Sequence, residues 1–312
     1  MTLEIATFPI DRPATYTGVG VSVCPPDSVS VTQTVGPTFF DHRGQVTISA
    51  LGALSDIVGA APAGVAREHA TGLRAQGVLA QLTASTAHPF PHSGQVSGVG
   101  RSMHFDDTSG LSSAEILDES GNLVLHLTGR TIVVGRTPTD GAGSAADPFP
   151  TAPDKYEPWI DGDVLDSKSG LDIVSGIAAG TLPRGPLAGM HALRVHSVER
   201  GAVRATVTPS EWMTNFIGSI QGGVLLSIAE SVTGLAAQSL TEAGGQYRML
   251  QITLDYLRSP AVPGPPVQVQ SDVVRAGRRL ASLETLLTGE DGTVYVRAYA
   301  SVQLFARSSE QR

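Results

Sequence analysis

The feature that most restricts how this chain can fold is an internal repeat. Asp41 and Gly44 precede Asp56 by fifteen and twelve residues, and Asn215 and Gly218 precede Glu230 by the same fifteen and twelve. Apolar and small residues follow each carboxylate, IVGAA in one copy and SVTGLAA in the other. The flanks also match. GVGVSVCPPDSVSVTQTVGPTFF is similar to GMHALRVHSVERGAVRATVTPSEW, GVLAQLTASTAHP to YRMLQITLDYLRSP, and LSSAEILDESGNLVLHLTGRTIVV to LASLETLLTGEDGTVYVRAYASVQL.

Each copy reads as strand, helix, then several strands. The two central helices are expected near residues 46–62 and 221–240. ESGN and EDGT have the composition of hairpin turns. From Val294 to Leu304 apolar residues alternate with others, as in a half-buried strand. Between the copies lies GRTPTDGAGSAADPFPTAPDKYEPWIDGD, rich in Pro, Gly and Asp and without periodicity, which reads as a linker. The expected organisation is an N-terminal domain over 1–136, a linker over 137–164 and a C-terminal domain over 165–312. The 312 residues suffice for two such domains. The fold class is α+β, with two tandem units that each wrap a long antiparallel sheet around one helix. Together they should form a pseudo-dimer about an approximate twofold axis.

Composition narrows the function. The net charge of −8 disfavours a broad nucleic-acid footprint or a basic membrane patch, but a small anion needs only two or three local arginines. No uninterrupted run of 18 apolar residues occurs. The N-terminal MTLEIATFPIDRPATYTG is acidic and broken by prolines, unlike a secretory signal, so a cytoplasmic location is expected. Cys24 is the only cysteine, which excludes an internal disulfide and a thiolate zinc cluster. G-x-S-x-G, Walker, G-x-G-x-x-G and H-E-x-x-H motifs are absent. His88 and His92 are four apart in HPFPH, but the prolines preclude a helical pair, and no metal is expected.

NFIGSIQGGVLLSIAESVTGLAA, residues 215–237, poses its own problem. Gly222 and Gly223 open an apolar helix with poor helix formers, and Glu230 places a charge within it. Positions 223, 227, 230 and 234 share one stripe and are Gly, Ser, Glu and Gly; in the first copy the stripe is Ser49, Ala53, Asp56 and Ala60. Each carboxylate therefore lies in a lane of small residues, with room for a ligand or a partner helix. Asn215, Gly218, Gln221, Gly222, Gly223 and Glu230 resemble the motif N-x-x-G-x-x-H-G-G, followed seven residues later by Asp or Glu. That is the motif of the hotdog-fold acyl-CoA thioesterases of the phenylacetyl-CoA and 4-hydroxybenzoyl-CoA type. The resemblance spans most of residues 165–306, and the first half reads as a divergent copy.

The resemblance implies hydrolysis of an acyl-CoA thioester, the substrate and partner, with no further cofactor. Such chemistry needs donors aimed at the thioester oxygen and a carboxylate to attack or to activate water. Gly222 and Glu230 are about 12 Å apart along one helix and cannot serve the same thioester. The resemblance implies composite sites between the halves instead. One pairs Asn215 and the Gly222 N–H, supported by Gln221 and Gly223, with Asp56. The other pairs the Ile48 N–H, Asp41 and His42 with Glu230. The second is expected to be impaired, because Asp41 replaces Asn, Ile48 and Ser49 replace both glycines, and an ionised Asp donates no hydrogen bond; His42 is the candidate to supply the lost donor. Arg275, Arg278 and Arg279 of RAGRRL are candidates for the coenzyme A phosphates, with Arg101 as a thinner counterpart. The pseudo-dimer could assemble further into a homo-oligomer. Two other readings stand beside hydrolysis: a hotdog protein that binds a thioester or another hydrophobic ligand without cleaving it, and a hotdog enzyme of another reaction, such as a dehydratase.

Overall fold

The computed structural model describes residues 10–72, 77–134, 151–152 and 156–306. Helix α1 (Arg12–Thr17) leads into strands β1 (Gly20–Cys24) and β2 (Ser28–Val35), and 3₁₀ turns at Pro37–Phe39 and Ile48–Leu51 lead on to α2 (Gly52–Thr71). Strands β3 (Gly77–Thr86), β4 (Gly94–Phe105), β5 (Ser109–Leu117) and β6 (Leu123–Val133) complete the first half. The second half begins with short helices α3 (Gly162–Ser167), α4 (Gly170–Ala178) and α5 (Pro186–Met190), followed by β7 (Arg194–Glu199) and β8 (Ala202–Val207). A 3₁₀ turn at Glu211–Met213 precedes α6 (Gly222–Gln238), and β9 (Gln246–Tyr256), β10 (Val267–Ala276), β11 (Leu280–Thr288) and β12 (Val294–Phe305) follow.

The twelve strands among the described residues form one antiparallel sheet in the order β1-β2-β4-β5-β6-β3-β9-β12-β11-β10-β8-β7. The order is palindromic: each strand of the first half has its counterpart six strands later at the mirror position. The seam is the β3–β9 pair, from Gln81 opposite Asp255 to Ser85 opposite Gln251. Thr83 faces Thr253 at its centre with the hydroxyls 3.0 Å apart, which marks the pseudo-twofold axis. This is the hotdog architecture in tandem.

Helix α2 packs on β2, β4, β5 and β6, and α6 on β8 to β12. Leu54 and Val58 of α2 and Leu226, Ile228 and Val232 of α6 are fully buried. Each such side chain contributes on the order of 1.5–3 kcal/mol by leaving water. Residues Ile48–Thr71 are long and apolar enough to cross a membrane by length and composition, but 78% of that window is buried inside the protein, as for a core helix.

Three expectations need correction. The first central helix is not confined to 46–62. It opens with a 3₁₀ turn at Ile48 and continues to Thr71 through Pro62, whose buried ring packs where Gly100 of β4 lacks a Cβ. It stops at Gly72, which takes the left-handed conformation (φ 70°) and donates its N–H to Glu68 O at 2.8 Å. Second, part of the expected linker is packed structure. Ile160 is buried and donates its N–H to His42 O at 2.9 Å, Trp159 meets Phe40 edge-on at 5.1 Å, and α3 begins at Gly162. The linker positions 137–150 and 153–155 lie outside the described residues. Third, of the two occupants left open for the lane of small residues, a ligand or a partner helix, the structure shows the partner helix, and the lane does not stand open to a ligand. Gly223 sits so close to Gly52 that a Cβ on either would overlap the other's carbonyl oxygen, and Ser49 and Ser227 exchange hydroxyl-to-carbonyl hydrogen bonds of 3.0 and 2.6 Å. Two helices approach backbone to backbone there.

Candidate active site

The repeated Asp/Asn-x-x-Gly spacing forms the same loop twice. Asp41 Oδ1 accepts from the N–H of Arg43 (2.8 Å) and Gln45 (3.1 Å), and Asn215 Oδ1 accepts from Ile217 (3.0 Å) and Ser219 (3.1 Å). Gly44 (φ 75°) and Gly218 (φ 76°) close the turns in the left-handed region, where glycine carries no steric penalty. Both Asx side chains work as acceptors, so Asp41 loses nothing here by lacking an amide. Asn215 shapes its loop, and its described bonds aim no donor at Asp56.

Each carboxylate meets the start of the other half's helix. Asp56 Oδ1 accepts from the Gly223 N–H at 3.2 Å and lies where a Cβ on Gly222 would approach to 2.6 Å. Glu230 accepts from the hydroxyls of Ser49, in a very short contact, and Thr47 (3.1 Å). By repeat position Ser49 stands where Gly223 stands in the other half. One site therefore presents a backbone N–H to its carboxylate and the other presents hydroxyls.

The two surroundings differ. Beside Asp56 lie a second carboxylate and an amide. Asp11, the N-cap of α1, is buried and accepts two hydrogen bonds from Gln221 Nε2, at 2.8 and 3.0 Å. Gln221 is thus committed to Asp11 and does not serve Asp56. Tyr256 Oη donates to Gly222 O at 2.9 Å. Burial raises the Asp11 carboxyl to about 6, and burial together with the neighbouring Asp11 charge raises Asp56 to about 7.

Beside Glu230 a cavity of about 340 Å³ opens. Its apolar lining includes Val46, Ile48, Phe90, Met249 and Phe305; Arg43, Gln45, Thr47, His92, Gln246 and Arg248 supply polar groups, and Glu230 is its only carboxylate among the described residues. Burial raises the Glu230 pKa, against hydrogen bonds from Ser49 and Thr47 and the nearby Arg43 charge, which lower it. His42, expected as a donor in this site, does not line the cavity. It is buried and stacks on Tyr247, and burial lowers its pKa to about 4, so it is neutral at pH 7. Its neighbour Arg43 takes the place in the wall. Arg43 is fixed by Asp41 (2.7 Å), by the Tyr247 carbonyl (2.8 Å) and by stacking over the Tyr247 ring at 3.7 Å. The D-H-R-G stretch was visible in the sequence, and the spacing of a turn closed by Gly44 could have singled out its third residue.

Arg278 and Arg279 occupy the β10–β11 turn, with Arg275 before them near the end of β10. Arg279 O accepts from the Leu304 N–H at 3.0 Å, next to Phe305 in the cavity wall. Leu280 pairs with Gln303, which pairs with Arg248 of the same wall. The arginine turn thus borders the Glu230 cavity. The equivalent turn of the first half, between β4 and β5, contains Asp106 and Asp107, and Arg101 lies well before it within β4. Thr108 O of that turn accepts from the Val133 N–H, on the side of the sheet where Leu79 approaches Gly222. The β10–β11 turn is basic, and the equivalent β4–β5 turn is acidic.

Comparison with known proteins agrees with the geometry. Residues 217–296 match the family described as the Thioesterase superfamily. Solved structures match along nearly the whole chain. A candidate thioesterase II from Thermobifida fusca YX has 12% identity and a TM-score of 0.56, over 95% of this chain and 98% of that one. A TesB protein from Mycobacterium avium subspecies paratuberculosis has 9% identity and a TM-score of 0.56, over 94% and 97%. A hotdog-fold protein from Alicyclobacillus acidocaldarius has 10% identity and a TM-score of 0.55, over 95% and 98%. No curated protein sequence matches. The chain thus has the hotdog fold in two tandem units, and the second unit holds the segment that matches the Thioesterase superfamily.

Proposed function

We propose that this protein hydrolyses acyl-CoA thioesters in the cavity at Glu230. The observation that carries the reading is the cavity itself: among the described residues Glu230 is its one carboxylate, apolar side chains such as Ile48, Met249 and Phe305 line part of it, and the arginine turn is tied to Leu304, next to Phe305, through the Arg279 carbonyl. The acyl group would lie against Ile48, Met249 and Phe305, and the phosphates of coenzyme A would meet Arg248 and the arginine turn. Burial pushes the Glu230 carboxyl above its ordinary value, which makes its carboxylate a stronger base, and it is the group in this cavity suited to act as general base. In that role it takes a proton from water as the water oxygen bonds to the thioester carbon and the carbonyl electron pair moves onto oxygen. Collapse of the tetrahedral species re-forms the carbonyl and breaks the C–S bond, and Glu230 returns the proton to the thiolate. Acid and free thiol result. The hydroxyls of Thr47 and Ser49 aim the carboxylate. Asp56 is held by a helix N–H and flanked by Asp11 and Gln221, so we assign it a secondary part in this reading.

The test is thiol release from a panel of acyl-CoAs. Glu230→Gln should lower kcat/KM on the order of 10²-fold or more, and Asp56→Asn should lower it far less. The opposite ranking would move the chemistry to the Asp56 site. Tight binding of acyl-CoA without any release by the unaltered protein would make it a binding protein instead.

A further inference from the structure

We propose that Arg43 is the donor that holds the thioester oxygen in the Glu230 site, through guanidinium N–H groups left over after its structural contacts. The inference rests on the hydrolase reading above, but it concerns a residue that lies outside the repeated Asx, glycine and carboxylate positions.

A thioester site built on a helix start normally draws on backbone N–H groups freed by glycine. Here Ile48 and Ser49 stand in the glycine positions, and the hydroxyls of Ser49 and Thr47 are turned toward Glu230. His42 lies off the cavity and is neutral. Arg43 is the remaining charged donor of this loop, and it lines the same cavity as Glu230. A guanidinium has five N–H groups. In Arg43 the Nε–H donates to Asp41 Oδ2 at 2.8 Å, Nη2 lies 2.7 Å from the same oxygen, and Nη1 donates to Tyr247 O at 2.8 Å. One N–H on each terminal nitrogen is not claimed by these contacts.

The group is also held rigidly. Its side chain is 3% exposed, its plane rests on the Tyr247 ring, and the Asx turn of Asp41 fixes its backbone. A donor that is already oriented pays no reorganisation when charge develops on the substrate, which is the condition for strong transition-state stabilisation. The charge balance is consistent. As Glu230 gains a proton its negative charge disappears, and the same charge reappears on the thioester oxygen. Arg43 faces a carboxylate before the step and an oxyanion after it, without having to move.

The experiment compares two ligands on Arg43→Lys, which keeps the ion pair with Asp41 but loses the planar fork. One ligand is an S-alkyl-CoA thioether, which has no carbonyl oxygen next to sulfur; the other is a trifluoromethyl ketone analogue, whose hydrated form carries the tetrahedral oxygen. Arg43→Lys should leave the thioether Kd within about two-fold and weaken the ketone by about tenfold or more. On a good substrate, kcat should fall on the order of 10²-fold, the usual loss for one oxyanion donor, with KM nearly constant. If Arg43→Lys fails to fold, the Asp41→Asn, Arg43→Met double variant removes the ion pair as a unit, so that Asp41 is not left as an unpaired carboxylate; the same ligand contrast is expected of it. Equal weakening of both ligands, or an unchanged kcat in a folded variant, overturns the assignment of Arg43 while hydrolysis at Glu230 stands. Failure of the unaltered protein to bind either analogue or to release thiol overturns both.

Discussion

Replacing Gly223 with Ala tests whether the glycine serves the contact between the halves. A Cβ there would overlap the Gly52 carbonyl, whose carbon would lie 2.5 Å away, and would come within 3.0 Å of the Ala53 backbone nitrogen. Both obstacles are backbone, so no rotamer change relieves them. Overpacking of this kind costs about 1–3 kcal/mol, and backbone obstacles place this site toward the upper end. Better helix propensity offsets at most about 1 kcal/mol. The expected net loss is about 1–2 kcal/mol. Gly64 is the control. It lies inside α2, and a Cβ there meets nothing within 4 Å. Gly64→Ala should stabilise by about 0.5–1 kcal/mol through propensity and a less free unfolded chain. The two variants should therefore shift in opposite directions in urea unfolding followed by far-UV circular dichroism, with the midpoint of Gly223→Ala below that of the parent and Gly64→Ala above it. A further arm is Gly52→Ala combined with Gly223→Ala, which should cost less than the sum of the singles because one displacement of the helices relieves both. A midpoint for Gly223→Ala at or above the parent would refute the close approach of α2 and α6 and return the glycine to a role in binding ligand.

Asp11 and Asp56 have folded pKa values of about 6 and about 7, raised from 3.8. The raised values mean that the fold favours the protonated forms. Their contribution to stability is whole below pH 3.8 and is lost as pH rises through about 6 to 7. Asp11→Asn should flatten the decline in stability over that window, measured by urea midpoints at several pH values; an identical pH profile would contradict it. Arg278→Ala with Arg279→Ala should raise KM for an acyl-CoA more than it lowers kcat, because phosphate contacts are the same in ground and transition states. A normal KM would leave these residues as a solvated turn.

Much of the fold was legible because it is written twice. A spacing of twelve from Gly44 to Asp56, and from Gly218 to Glu230, fixed the correspondence of the halves without any homologue. The hairpins followed from ESGN and EDGT, where Gly121 (φ 81°) and Gly292 (φ 80°) both adopt the left-handed conformation. The end of α2 was not legible, because Pro62 is a helix breaker in the abstract and only the vacant position at Gly100 explains its tolerance. The pairing of each carboxylate with the other half's helix start could be reasoned from distance along a helix. Which of the two would face a cavity could not be. That outcome depends on Asp11 reaching back from the N-terminal segment to Gln221, and on Arg43 turning into a wall shared with Tyr247. Both contacts span about two hundred positions in the chain, beyond the reach of local pattern.

The continuous sheet across the β3–β9 seam has a consequence for how the two sites can diverge. In a symmetric homodimer every residue appears twice, so a change that suits one site is imposed on the other. It also falls apart when diluted. Here the association is intramolecular, and each half can mutate alone. The hydroxyls of Thr47 and Ser49 around one carboxylate and the bare backbone of Gly222 and Gly223 around the other are a combination that no pair of identical subunits could hold. Gene fusion, on this view, released one of the sites from the inheritance of its twin.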